Sequence, residues 1–192
     1  MERSFYARPA IEVARALLGK ILVHGPARAR IVETEAYLGL TDAAAHASRG
    51  RTPRTEVIFG PPGHAYVYLI YGMYECLNVV AEPEGQAGCV LIRALEPLKG
   101  IESMRRRRSG IDRIEQLANG PGKLTLAMGI TRKHNGADLT RGPLTVCGGC
   151  ENDFEIGVSR RIGITKNPDL PLRFFVAGSP FVSRSVGRPL VP

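Results

Sequence analysis

The chain has 192 residues, of which 44% are apolar, so it is long enough to bury an ordinary core, and we expect residues 1–192 to form a single globular domain. Its 26 Lys and Arg exceed its 18 Asp and Glu, and the resulting net charge of +8 favours an acidic partner such as nucleic acid. A genome biased toward arginine codons, or a surface whose charge only keeps the protein soluble, would give the same excess. No apolar run reaches membrane-spanning length and no signal peptide opens the chain, so we expect an intracellular, soluble protein without a membrane partner.

The first predicted elements are a helix and a pair of strands. The helix has Pro9 near its first turn and Gly19 as its C-terminal stop. Its predicted buried stripe consists of Ile11, Ala14, Leu17 and Leu18. Residues 21–23 then predict a strand, and a His-Gly-Pro turn leads into a long strand over about residues 28–37.

The end of this long strand is the first candidate site. Strand periodicity places Glu33, Glu35 and Tyr37 on one face, together with Ile31. Two acids followed by an aromatic residue at a strand end are typical of a pocket wall, although a solvated strand face also tolerates carboxylates. His46 follows in a Gly, Ala, Ser and Pro-rich loop over residues 39–62, for which we predict one helical turn.

A β-hairpin is the second candidate site. Residues 66–71 and 75–81 predict its antiparallel strands, with a tight turn at Gly72 and Met73. Its tip therefore carries Tyr71, Met73 and Tyr74. Large apolar side chains at an exposed turn need a cover. They either fold back into the core or form a wedge that enters a nucleic-acid groove, as apolar minor-groove intercalators do.

A nearly continuous apolar strand over residues 88–98 contains one arginine, Arg93. An arginine in such a run stands at a strand end or pairs with a carboxylate, and Glu35 is the candidate partner. A helix that ends in four consecutive arginines follows, then a short helix over residues 111–117. A Gly-Pro loop next leads into a helix from Gly120, whose free N–H groups and Lys123 are suited to a phosphate.

The C-terminal third has fewer signals. Residues 131–149 are polar and turn-rich, and strands are predicted over residues 155–164 and 172–177. Cys147 and Cys150 form a single CxxC pair, which is weak evidence for zinc without a second pair, so we interpret them as reduced loop thiols.

Together these motifs resemble those of the alkyladenine (3-methyladenine) DNA glycosylase family. The resemblance is carried, in this order and spacing, by RIVETEAYLG, the Ala-Ala-His that follows, YVYLIYGMYECLN, CVLIRALEPL, GPGKL and PLRFFVAGSP. It covers about residues 5–183 and is tightest between residues 30 and 98. It implies a mixed α/β (α+β) fold, a single domain around a curved antiparallel β-sheet with surrounding helices and a protruding β-hairpin.

The resemblance also implies an activity. The chain would be a monofunctional DNA glycosylase of base excision repair, a hydrolase of N-glycosyl bonds that flips damaged purines out of double-stranded DNA and leaves an abasic site. Its implied substrates are 3-methyladenine, 7-methylguanine, hypoxanthine and ethenoadenine. No lysine lies between residues 21 and 98, which argues against Schiff-base chemistry with strand cleavage. We expect no cofactor and a monomer.

The matching motifs imply a role for each site residue. Glu35 matches the general base, and Arg93 matches the arginine beside the catalytic water. Base-binding roles are implied for Tyr37, His46, Tyr68 and Asn78, the last of which would clash with the 2-amino group of guanine. At the hairpin tip, Tyr71 matches the side chain that fills the gap in the duplex, with Met73 and Tyr74 beside it in the minor groove.

Two other classes of function fit parts of the pattern. A non-catalytic nucleic-acid-binding module would explain the charge and the aromatic hairpin, with Glu35 only a structural partner of Arg93. A metal-dependent hydrolase would use the ligand set Glu33, Glu35, His46 and His64, but their spacing matches no metal motif, and we expect no metal.

Overall fold

The structure is a computed structural model that describes residues 1–149 and 153–183. In these residues the chain forms three α-helices, α1 (Ala10–Leu17), α2 (Ile101–Arg107) and α3 (Pro121–Met128). The strands of the same part of the chain are β1 (Ile21–His24), β2 (Ala27–Tyr37), β3 (Ala65–Ile70), β4 (Tyr74–Val80), β5 (Cys89–Lys99), β6 (Leu144–Cys147), β7 (Ile156–Ser159) and β8 (Arg173–Val176). Cys150, one member of the predicted pair of loop thiols, lies outside the described residues.

The described strands form one antiparallel sheet around β2. Its main path runs β3-β4-β5-β2-β1-β6, and β8 joins β2 and β7 joins β8. Along one side β2 pairs with β5, and along the other it pairs first with β1 and then, from Glu33 to Glu35, with β8. The predicted fold, a single mixed α/β domain around a curved antiparallel sheet, is confirmed.

The two faces of the sheet pack against different parts of the chain. On β3 and β4, Val67, Leu77 and Val79 point into the main hydrophobic core, where α1, α2 and α3 pack. The alternate residues, among them Tyr66 and Val80, belong to a smaller cluster on the other face, which the loop after β2 covers. The candidate site lies on this second face, which we call the pocket face.

The alternation of side chains changes phase in the middle of β2. The register with β5 is shifted at Glu33, which pairs with Ala94, whereas the residues on either side pair in a common register. As a result Ile31 and Ala36 both lie in the main core, although their positions differ by an odd number and regular alternation would place them on opposite faces. The prediction that Ile31 shares a face with Glu35 was therefore wrong. Such irregularities redirect side chains within a strand, and they often lie next to active sites.

The first helix and the hairpin lie close to their predicted positions. The buried face of α1 includes Val13, Ala14 and Leu17, whereas Ile11, predicted to be buried, is 37% exposed. The hairpin is formed by β3 and β4, as predicted. Among the described residues no helix has the length and the apolar composition needed to cross a membrane.

The irregular segments differ more from prediction. The loop over residues 39–62 contains three 3₁₀ turns rather than one, and the predicted helix at 111–117 is only a 3₁₀ turn, Ile114–Gln116. Strand β6 lies in the segment predicted to be turn-rich, and it pairs with β1. Strand β7 ends at Ser159, so Arg160 and Arg161 follow the strand instead of lying within it.

Candidate active site

A cavity of about 690 Å³ opens on the pocket face. Its walls come from strands β2 to β5, from the start of α3 and from residues 162–164 after β7. The lining includes most of the sequence-predicted site residues, namely Tyr37, His46, Tyr68, Tyr71, Tyr74, Asn78 and Arg93. The structure therefore brings together residues that lie as far apart as 37 and 93 in the sequence.

Glu35 lies behind the lining of this cavity and is fully buried. Its Oε2 accepts a hydrogen bond of 3.0 Å from the Tyr37 hydroxyl. Its Oε1 accepts a bond of 2.7 Å from the backbone N–H of Ile162 and lies 3.3 Å from Nη1 of Arg93. Burial raises the pKa of Glu35 above its usual range, although Arg93, the Ile162 N–H and the Tyr37 hydroxyl each act to lower it.

Arg93 connects this carboxylate to a second one. Its Nε donates to Oε1 of Glu33 at 2.9 Å, while its Nη1 faces Glu35. Glu33 in turn accepts from Arg173 on β8 and from Ser183. The predicted pairing of Arg93 with Glu35 is present. Sequence reasoning did not predict that Glu33 also pairs with Arg93, or that Arg173, 140 residues away from Glu33 in the chain, joins them.

Aromatic rings form the walls of the cavity. The rings of His46 and Tyr68 are 4.5 Å apart at their centroids with an interplanar angle of 76°, and Nδ1 of His46 lies 2.9 Å from the Tyr66 hydroxyl. Burial, and then the nearby guanidinium of Arg54, lower the pKa of His46 to about 4. His46 is therefore neutral at physiological pH, and this wall carries no positive charge from its imidazole.

Asn78 lies on the floor of the cavity and is 2% exposed. Its Nδ2 donates to the carbonyl oxygen of Tyr66 at 3.2 Å, and its Oδ1 accepts a long contact of 4.0 Å from Sγ of Cys89. The nitrogen end of the amide is thus held by β3. A group that enters the cavity cannot push this side chain aside without breaking its hydrogen bond to Tyr66.

The hairpin tip projects from the mouth of the cavity. Tyr71 is 80% exposed, Met73 67% and Tyr74 44%, so the alternative in which the tip folds back into the core was wrong. Tyr71 has a φ of +52° and Gly72 a φ of +70°. Positive φ angles at two successive residues are typical of the tight turns that match the twist of a hairpin, but a tyrosine rarely adopts one.

A buried ion pair holds the segment after β7 against the cavity. Arg161 donates to both carboxylate oxygens of Asp42 and to the carbonyl oxygen of Ala36. Its guanidinium carbon lies 4.6 Å from the ring centroid of Tyr37. Sequence reasoning missed both members of this pair, because the arginine-rich composition gives no sign of which arginine is buried.

Cations surround the mouth. Arg108 and Lys123 line the cavity, and an adjoining hollow of about 470 Å³ is lined by Arg49, Arg54 and Lys166. Lys123 lies outside residues 21–98, the stretch that contains no lysine. Its Nζ donates a hydrogen bond of 3.0 Å to Oδ1 of Asn119. In the described part of the chain, no group of three or more His, Cys, Asp or Glu side chains is placed to hold a metal ion.

Comparisons with known proteins agree with one another. The sequence model of a family described as methylpurine-DNA glycosylase matches residues 4–180. A protein of Alkaliphilus oremlandii is 47% identical over 199 residues, covering 96% of this chain and 98% of its own length. One of Methanoculleus marisnigri is 50% identical over 188 residues, covering 94% of this chain and 97% of its own. Both bear the name "Putative 3-methyladenine DNA glycosylase".

Proposed function

The chain belongs to the methylpurine-DNA glycosylase family, and from this premise we propose that it flips alkylated or deaminated purines out of double-stranded DNA and hydrolyses their N-glycosyl bonds. The proposed substrates are 3-methyladenine, 7-methylguanine, hypoxanthine and ethenoadenine, and the proposed product is an abasic site for base excision repair. The observation that carries the proposal is the buried carboxylate of Glu35, held by Arg93 and Tyr37 behind a cavity walled by tyrosines.

The first step is the extrusion of the damaged nucleotide. An N-glycosyl bond inside a duplex is inaccessible, and unstacking the base costs a few kcal/mol, least at a damaged pair. The exposed hairpin tip supports a wedge role: Tyr71 fills the vacated space in the duplex, with Met73 and Tyr74 beside it in the minor groove. The cations around the cavity mouth suit the flanking phosphates.

The second step is recognition of the extruded base. Stacking on aromatic rings contributes roughly 1–3 kcal/mol per base, and Tyr37, Tyr68 and His46 offer such rings. Because His46 is neutral, a cationic alkylated purine meets no charge repulsion from it. The fixed amide of Asn78 supports its proposed role in rejecting the 2-amino group of guanine.

The third step is hydrolysis. The base leaves with the electron pair of the broken bond, so positive charge develops on the sugar, and an ionised Glu35 both stabilises this charge and accepts a proton from the attacking water. A cationic alkylated purine leaves as a neutral base, whereas a neutral purine such as hypoxanthine must gain a proton as it leaves. A carboxylate offers about four acceptor positions, and three donors contact Glu35. One position on Oε2 is thus left for the water. Nη1 of Arg93 lies 3.3 Å from the other oxygen, Oε1, and helps to hold the carboxylate in place.

We also propose that residues 1–192 act as a single domain and that the protein works as a monomer. The experiment that tests the function uses duplexes that each carry one of the four lesions. Release of the base followed by alkali-dependent strand cleavage supports a monofunctional glycosylase. Cleavage without alkali would indicate Schiff-base chemistry, for which Lys123 is the lysine to substitute, and absence of base release would contradict the proposal.

A further inference from the structure

Glu33 is a fully buried acid with a complete set of partners. Its Oε1 accepts from Nε of Arg93 at 2.9 Å, from Nε of Arg173 at 2.7 Å and from Oγ of Ser183 at 2.7 Å. Its Oε2 accepts from the backbone N–H of Ser183 at 2.7 Å. Glu33 does not line the cavity, so its effects on a substrate pass through its neighbours.

We propose that Glu33 is a positioning residue: it holds Arg93 by Nε, turns the outer guanidinium nitrogens of Arg93 toward Glu35 and the cavity, and balances the charge of two buried arginines. The inference rests on the proposed function of Glu35. Glu33, two residues before Glu35 on β2, thus has a separate role in the same reaction.

The strand geometry supports this assignment. Glu33 is the residue at which the register between β2 and β5 is shifted, so that it pairs with Ala94 instead of Arg93. The shift releases Arg93 from the regular ladder, next to both carboxylates. If Glu33 followed the register of the residues on either side of it, it would pair directly with Arg93. The local irregularity thus coincides with the contact that orients the guanidinium.

Charge balance is the second argument. With Glu35 ionised, Glu33 and Glu35 carry two negative charges and Arg93 and Arg173 carry two positive ones, all buried. A buried charge without a partner is strongly unfavourable. Loss of the Glu33 charge would leave a net positive cluster beside the sugar, where the reaction itself develops positive charge.

Several groups face Glu35 from the surrounding elements. They are Glu33 and Tyr37 on β2, Arg93 on β5, Arg173 opposite Glu35 on β8, Arg161 after β7 and Cys76 on β4. Of these, Glu33 is the acid, and its charge raises the pKa of Glu35. Removal of that charge lowers the pKa of Glu35, so the acidic limb of the excision rate moves to lower pH.

The test measures single-turnover excision of hypoxanthine against pH, together with affinity for the lesion duplex. For Glu33→Gln we expect the plateau rate to fall about tenfold or more and the acidic limb of the pH–rate profile to move to lower pH, with unchanged affinity for the lesion duplex. The double variant Glu33→Gln/Arg173→Gln restores the charge balance. The acidic limb of its pH–rate profile should return toward that of the wild type. Its plateau rate should stay low, because residue 33 still does not hold Arg93.

The control is Glu96→Gln, which removes an acid on β5 that pairs with Arg30 at the protein surface. This variant should change neither the plateau rate of excision nor the pH of the acidic limb. A rate loss that is equal at every pH in Glu33→Gln, or a double variant with the wild-type rate, would overturn the inference. If the single and double variants do not fold, Glu33→Asp, which keeps the charge but shortens the reach, must lower the rate with the limb unmoved. If the wild-type protein itself excises no base, the proposed function is overturned instead.

Discussion

The hydroxyl of Tyr37 donates a hydrogen bond of 3.0 Å to Oε2 of Glu35, two positions earlier on the same strand. The aromatic wall of the cavity and the buried carboxylate are therefore joined directly. Tyr37 has two separable parts in this arrangement, a ring face for the base and a hydroxyl for the acid. This separation allows each part to be removed on its own.

Substitution Tyr37→Phe keeps the ring and removes the hydroxyl. Because the hydroxyl acts to lower the pKa of Glu35, its loss raises that pKa further, and the acidic limb of the excision rate moves to higher pH. Affinity for the lesion duplex should stay within about twofold, since the stacking face remains. The comparison is Tyr37→Leu, in which affinity also falls. A limb that does not move in Tyr37→Phe would contradict the assignment of Glu35 as the base.

Removal of the acid at residue 42 tests the support of the cavity wall. Asp42→Asn leaves Arg161 buried without its anion, and we expect the free energy of unfolding to fall by about 3–5 kcal/mol at neutral pH. Burial acts to raise the pKa of Asp42, but bonds from Arg161 and from two backbone N–H groups outweigh it and lower the pKa. The difference between wild type and variant is thus present above about pH 4 and shrinks as the pH falls further.

Chemical denaturation at several pH values measures this difference. Asp169→Asn is the matched control, because Asp169 pairs with the neighbouring Arg160 at an exposed position and should contribute little. Equal losses of stability in the two variants would show that the buried ion pair does not hold the wall.

Much of the candidate site could be predicted from local sequence. Glu35 and Tyr37 lie beyond the register shift in β2, where side chains alternate regularly, and Arg93 stands out as a charge in an apolar strand. The prediction that the hairpin carries an apolar tip needed only the turn residues. The partners of Glu33 could not be predicted, because Arg173 and Ser183 reach it through the pairing of β8 with β2. Strand β6 was missed for a different reason: its four residues suit a strand, but so short a run does not stand out in a turn-rich segment until its pairing with β1 is known.

The hairpin tip is tested with two substitutions at one position. Tyr71→Ala and Tyr71→Gly both remove the wedge, and we expect each to weaken binding of a lesion duplex by about tenfold while excision from single strands changes little. Because Tyr71 has a φ of +52°, glycine relieves the backbone strain that alanine retains. The Gly variant should therefore be more stable than the Ala variant by about 1 kcal/mol. Equal effects on duplex and single-stranded substrates would contradict the wedge role.

The contact between α3 and the hairpin is tested at Gly122. A Cβ at this position would lie 2.9 Å from Cβ of Tyr74, so Gly122→Ala forces the hairpin or the helix to move. The overlap costs about 1–3 kcal/mol, and the gain of up to about 1 kcal/mol from the helix propensity of alanine offsets part of it. We expect a modest fall in melting temperature together with weaker binding of the lesion duplex, because the shift displaces the hairpin. Gly148→Ala is the control and should bind normally, because an added Cβ there meets no heavy atom of the described residues within 4 Å.

The central claim is that the ionised carboxylate of Glu35 acts in hydrolysis, and Glu35→Gln tests it most directly. The amide is similar in shape but cannot accept the proton of the attacking water. Single-turnover excision from a hypoxanthine duplex should fall by about 10²- to 10⁴-fold, whereas the affinity of the variant for the same duplex should be retained. Excision at the wild-type rate by this variant would show that Glu35 is only a structural partner of Arg93.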